Sequence, residues 1–328
     1  MATPQDLLDL LLQSYTQATI PIHTLSPDDL ALLTRMRETF LAAGAAQVLA
    51  DHDPTRWMQL GVQFQSREQH AAFLDADLAR QVQGWLDRGL ITAFFDMNKP
   101  PGVRLRFCGP RLQQTLAPEL HAFLEARQAQ GRLVRWEHGL YDPETWQFGG
   151  VAGLDLMHRF ATADSLCACR LLDLERRDAL TLDRASLSLL LLDHLLTQVV
   201  GDDWERWDVW GNMRLTGRVL DPSPAQHAAL EADLAENREA LLALLRRPDE
   251  VRAELSPEEQ AIVADHHQAM TRVGQDLRRA AQQGQLTHGP RQILPFYIIF
   301  HWNRWMFDQP TQVALTWFMR ALLDPKQG

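Results

Sequence analysis

Hydrophobic and polar positions repeat with two different periods along this chain, and the changes of period mark its elements. Short apolar runs, alternating in places, predict four strands at 57–64 (WMQLGVQF), 91–97 (ITAFFDM), 103–107 (VRLRF) and 133–140. Helical texture at about 67–87 and 112–130 separates them. The order strand, helix, strand, strand, helix, strand predicts a mainly antiparallel sheet with helices packed on one face. Beyond residue 150 the texture is helical, so the expected class is α+β with a helix-rich C-terminal half. The run SLSLLLLDHLLTQVV at 186–200 is apolar nearly all round and reads as a buried helix, with His194 as a hydrogen-bonded core residue. Trp204, Trp207 and Trp210 recur every three residues and read as a packing stripe on a short helix.

The N-terminal region has a different texture. Leu7, Leu8, Leu10, Leu11 and Leu12 suggest one apolar helix face. A second helix starts at Ser26-Pro27-Asp28-Asp29, with Ser26 as N-cap and acids in the first turn. The expected division is a helical extension over 1–55 and a main domain over 56–328. Between 222 and 285 the chain is charged and helical, and Ser256-Pro257-Glu258-Glu259 has the form of a capping box. His266 and His267 are adjacent in that helix and point apart, a poor metal pair.

Composition narrows the function classes. The 328 residues are 46% hydrophobic, enough to fill a core, and carry a net charge of −10, which argues against a general nucleic-acid binder. Cys108, Cys167 and Cys169 form neither a zinc spacing nor a disulfide framework, which points to a reducing cytoplasm. Asp6 and Asp9 stand where a signal peptide would be basic, and charges break every long apolar run, so neither a signal peptide nor a membrane span is expected. No metal site and no cofactor are expected.

Candidate chemistry gathers at four places. In VRLRF, Val103, Leu105 and Phe107 face one side of a strand, while Arg104 and Arg106 face the other. They are either two solvated arginines or two guanidinium groups aimed at one anion. At 141–150, YDPETWQFGG reads as a turn: Asp142 precedes Pro143, and Gly149 and Gly150 permit backbone that a side chain forbids. A helix begins after it and carries Asp164-Ser165. Near the C-terminus, HWNR places His301 and Arg304 on one helical face, with Asp308 a turn beyond Arg304 as an expected partner, and Asn303 between them.

These four anchors, VRLR, YDPETWQFGG, Asp164-Ser165 and HWNR, resemble in order and spacing the thiopeptide-type bacteriocin biosynthesis domain. That is the glutamate-elimination domain of lantibiotic dehydratases and its stand-alone relatives. The resemblance runs from about 57 to 325. It implies that Arg104, Arg106 and His301 act in catalysis, and that Tyr141, Gln147, Asp164, Ser165, Asn303 and Arg304 bind substrate. It implies a ribosomally made precursor peptide, leader and core, as partner, a separate glutamylating dehydratase, no direct nucleic acid and no membrane. In the elimination members, a glutamylated Ser or Thr loses its α-proton and expels glutamate to leave a dehydroamino acid.

This chain departs from the family pattern at three positions. The His that usually precedes the VRLR-like strand is missing in PGVRLR. Gln147 stands where the family has Arg before aromatic-Gly-Gly, and cannot make the same charge-assisted contact. His158 stands where the family often has Glu. Relatives of this kind also join two dehydroalanines in a formal [4+2] cycloaddition that builds a pyridine ring. On the resemblance, glutamate elimination is the expected function, and these departures keep pyridine synthesis as the alternative and a leader-binding scaffold without activity as a third reading.

Overall fold

The computed structural model describes residues 25–51, 56–217 and 222–326. The chain divides into two units, Met1–Arg56 and Trp57–Gly328. In the first, helix α1 spans Pro27–Asp51, and Ser26 Oγ accepts the Asp29 N–H at 3.2 Å, the cap that the sequence calls for. The leucine-rich stretch at 7–12 lies outside the described residues.

The second unit is built on an antiparallel sheet of four strands, β1 (Trp57–Gln63), β2 (Ala93–Lys99), β3 (Gly102–Cys108) and β4 (Arg135–Gly139), in the order β2-β3-β1-β4. Register sets the two faces. Arg106 lies opposite Gln59 on β1 and Phe95 on β2, and Arg104 lies opposite Gly61 and Met97. Leu60, Val62, Phe94, Val103, Leu105 and Phe107 occupy the other face and are buried in one apolar cluster. Helices α2 (Arg67–Phe73), α3 (Ala76–Asp87), α4 (Leu112–Thr115) and α5 (Ala117–Ala129) contribute Phe73, Leu78, Trp85, Leu112 and Leu120 to that cluster.

Each of the two expected helices is interrupted, for a local reason. Asp75 ends α2 and caps α3, its Oδ1 accepting the Leu78 N–H at 2.8 Å. Asp75 is itself buried and ion-paired to Arg127 at 2.9 Å and Arg132 at 2.8 Å. Pro118 has no N–H to continue the ladder and opens α5.

Helices also cover the sheet's second face, where the sequence pattern suggested one covered face only. Helix α6 (Val151–Arg176) runs beside β2 and closes its free edge: Thr162 Oγ1 accepts the Phe94 N–H at 3.1 Å and Ser165 Oγ accepts the Asp96 N–H at 3.2 Å. The C-terminal half adds α7 (Arg184–Val199), α8 (Asp203–Gly211), a 3-10 turn (Asn212–Thr216), α9 (Pro224–Arg246), α10 (Pro248–Glu254), α11 (Pro257–Gln282), α12 (Pro290–Arg304) and α13 (Gln309–Leu322). Helix α7 is buried as expected, and the Ser256 capping box forms. The tryptophan stripe divides, since Trp210 is fully buried and Trp204 is 56% exposed. No described helix is long and apolar enough to cross a membrane.

Candidate functional site

A cavity of ≈ 380 Å³ lies over the sheet face that carries Arg104 and Arg106. Four segments close it, one of them the 3-10 turn through Thr216. The end of β2 and the following hairpin bring Lys99. The turn after β4 brings Glu144 and Gln147. Helix α12 brings Phe296, Ile299, Phe300 and Asn303, which recur at helical spacing on one face. Gly149 and Gly150 adopt φ of +84° and +93°, so the chain reverses there and enters α6 as the sequence implies. Three cations and one carboxylate therefore line one chamber.

Arg106 is the most tightly held of them. It is 6% exposed, its Nε donates to Gln59 Oε1 at 2.8 Å, and Gln59 Nε2 donates to the Leu140 carbonyl at 3.0 Å. Its guanidinium lies 4.6 Å from the Tyr141 ring centroid and 5.0 Å from that of Phe95. Tyr141 shares a hydrogen bond of 2.8 Å with His158 Nε2, and Trp57 packs 4.3 Å from the same imidazole. Burial, with Arg106 nearby, pushes His158 down to about 3, so the ring is neutral at pH 7. Burial also raises the Tyr141 phenol above its ordinary value.

The HWNR residues separate. His301 and Asn303 are two positions apart, about 200° around a helix, so they point to opposite sides. Asn303 lines the cavity. His301 has no exposed surface and does not line it: Nδ1 bonds Asp164 Oδ1 at 2.6 Å and Nε2 bonds Ser188 Oγ at 2.9 Å. Arg304 Nε donates to Asp164 Oδ2 at 2.5 Å, and His266 Nε2 approaches Asp164 Oδ1 at 3.3 Å. Burial acts to raise the Asp164 carboxyl, but His301 and Arg304 outweigh it and hold it well below the usual range. The expected Arg304–Asp308 pair does not form, because Asp308 instead caps α13 through the Thr311 N–H at 3.0 Å.

Of the residues singled out from sequence, the structure thus brings Arg104, Arg106, Gln147 and Asn303 around one cavity, with Tyr141 stacked on Arg106. It sets His301, Arg304, Asp164 and Ser165 apart in the core, where they tie α6 to α12, α11 and β2. Sequence reasoning did not select Lys99, Glu144 or Asp96. Glu144 sits within the quoted YDPE motif. Asp96 was signalled by an acid inside an apolar strand run; it is buried, and burial raises its carboxyl to about 6 against the pull of Arg304. Lys99 gave no signal beyond its place in a hairpin loop. No group of three His, Cys, Asp or Glu side chains that could hold a metal occurs among the described residues.

A family model described as the lantibiotic biosynthesis dehydratase C-terminal domain matches residues 57–323. The chain belongs to this family. Among curated proteins none matches it. Solved structures agree on the fold. The tRNA-dependent lantibiotic dehydratase MibB from Microbispora sp. 107891 superposes with a TM-score of 0.63 at 21% identity, over 84% of this chain and 28% of that one. TsrL gives 0.54 at 16% identity, over 83% of this chain and 95% of that one. The pyridine synthase TbtD from thiomuracin biosynthesis gives 0.55 at 13% identity, over 82% and 97%. This family member therefore spans about a quarter of the MibB chain and nearly the whole of the other two.

Proposed function

We propose that this chain tailors a ribosomally made precursor peptide by eliminating glutamate from glutamylated Ser or Thr. The observation that supports this reading is the gathering of Lys99, Arg104 and Arg106 around one cavity that also holds the Glu144 carboxylate. In the elimination, a base removes the α-proton of the modified residue. The electron pair forms the Cα–Cβ double bond, the Cβ–O ester bond breaks, and glutamate leaves as its carboxylate. Glu144 is the carboxylate placed to take the proton. Arg106, held rigid by Gln59 and the aromatic rings, stabilises charge on the enolate oxygen, while Arg104 and Lys99 hold the carboxylates of the departing glutamate. Asn303 and Gln147 are neutral donors for the peptide. His301 acts from outside the cavity, by fixing α12 through Asp164. A separate enzyme that glutamylates the peptide must supply the substrate.

A second reading is favoured by Gln147, which lowers the positive charge where a leaving carboxylate would be bound. It is pyridine synthesis, the activity that the name of TbtD states for that protein, which here would join two dehydroalanines. The deciding experiment is incubation of the pure chain with a glutamylated Ser/Thr peptide, followed by mass spectrometry. Loss of glutamate with formation of dehydroalanine supports elimination. No loss, together with cyclisation of a peptide bearing two dehydroalanines, replaces it with the second reading. Binding of the precursor's leader without either reaction leaves a scaffold.

A further inference from the structure

A second cavity, of ≈ 480 Å³, shares the 3-10 turn Asn212–Thr216 with the first: Thr216 lines the reaction cavity, and Arg214 lines the second. Its lining differs from the reaction cavity in kind. Two partly exposed indoles face it, Trp207 from α8 and Trp317 from α13, and the buried ring of Trp210 backs them. His227 stands edge-on to Trp317, with centroids 5.7 Å apart at 83°. Arg214 and Arg320 are exposed beside these rings, and among the described residues that line the cavity Asp324 is the carboxylate set against them. Trp210 is fully buried, and its Nε1–H has no acceptor among the described residues.

We propose that this cavity is a subsite for a planar aromatic ring with an adjacent carboxylate, those of a C-terminal aromatic residue of the peptide whose modified position occupies the reaction cavity. Indole faces and edges favour another π system over an aliphatic chain of equal size. Two guanidinium groups at the margin favour a carboxylate, and with Asp324 the described lining residues still carry a positive balance. The link to the reaction cavity is geometric. Arg214 and Thr216 are two residues apart on a 3-10 turn, about 4 Å of rise, so a few extended residues reach from one cavity to the other. The assignment of the ring to the same peptide rests on the reading of the chain as a peptide-tailoring enzyme; the binding chemistry does not.

The test uses N-acetyl-L-phenylalanine, which carries a ring and a carboxylate and is silent when indoles are excited. Titrated into the whole protein, it is expected to change tryptophan emission saturably. N-acetyl-L-phenylalaninamide, without the anion, and N-acetyl-L-leucine, without the ring, should each bind more weakly by about tenfold. Trp317→Leu and Arg320→Gln should each weaken the acid by on the order of tenfold, and Arg104→Ala in the other cavity should not. Arg320 is exposed, so its variant keeps the test valid if Trp317→Leu fails to fold by circular dichroism. Absence of saturation up to the solubility limit, or equal binding of the leucine compound, overturns the proposal. Adenosine monophosphate binding more tightly than the acid, and lost in the same variants, assigns the pocket to a free nucleotide and overturns its peptide source. Because binding is read without turnover, a protein that binds the acid but releases no glutamate loses only the reading of the reaction. One that releases glutamate and ignores the acid loses only the subsite.

Discussion

Asp164 and His301, which are 137 positions apart in sequence, meet at 2.6 Å between Oδ1 and Nδ1, and neither side chain has exposed surface. The same carboxylate takes the Arg304 Nε–H at 2.5 Å. Asp164→Asn keeps the shape and removes the charge, so it leaves the buried Arg304 guanidinium without its ion-pair partner. The expected cost is about 3–5 kcal/mol, read as a lower midpoint in urea unfolding with an unchanged slope. A loss below about 1 kcal/mol would show that this network does not anchor α12.

Lys99 and Gln147 line the same cavity, one charged and one not. In the glutamate-elimination assay, Lys99→Ala should slow release by roughly 10- to 100-fold. Introducing Gln147→Arg into that background should recover part of the loss, since it returns a cation to the chamber by another route. Full activity of Lys99→Ala beside an inactive Arg104→Ala would remove Lys99 from the site and keep the arginines.

Tyr141 joins Arg106 to His158. Tyr141→Phe retains the ring beneath the guanidinium but leaves the buried His158 Nε2 without its partner. We expect a stability loss of about 1–3 kcal/mol. Elimination should fall mainly through kcat if the phenol helps to fix Arg106, and through KM if the ring only contacts the peptide. An unchanged melting temperature and unchanged kinetics would sink both roles.

Acid should destabilise the fold well before ordinary carboxylates titrate. His158 is pushed down to about 3, His70 and His194 to about 4, and His267 to about 2, in each case first by burial. An unfolded chain binds protons at these rings near pH 6.5 and the native chain does not, so stability falls as pH drops below that value. A single ring contributes up to about 1.4 kcal/mol per pH unit. Asp96, raised to about 6, acts in the opposite sense between about pH 4 and 6, and Asp193, also raised by burial, acts with it, but they are two groups against four. The melting temperature should therefore decline steadily from pH 6.5 to 4.5, and Asp96→Asn should steepen the decline. A flat profile over that range would contradict the buried, neutral histidines.

Local patterns settled much of this protein. Alternation in VRLRF put Arg104 and Arg106 on one strand face and Leu105 on the other, because a strand's side-chain period is two whatever lies around it. Period 3.6 put His301 and Arg304 on one helix face, where they do meet a common partner. Caps at Ser26 and Ser256 and the glycine turn before α6 were likewise legible, since each depends on a few neighbouring residues. Family membership followed from four short motifs in order.

Tertiary structure alone decided which of these faces share a space. Periodicity gave His301 a direction around its helix but not the identity of what lay there. Asp164, on another helix, proved to be its partner, so the HWNR motif divides between the core and the cavity. Strand pairing placed Arg106 between Gln59 and Phe95, and the β2–β3 hairpin carried Lys99 to the same chamber. The physical reason is that side-chain direction is a local property of the backbone, whereas a cavity is formed by segments distant in sequence whose relative placement is set by packing over the whole core.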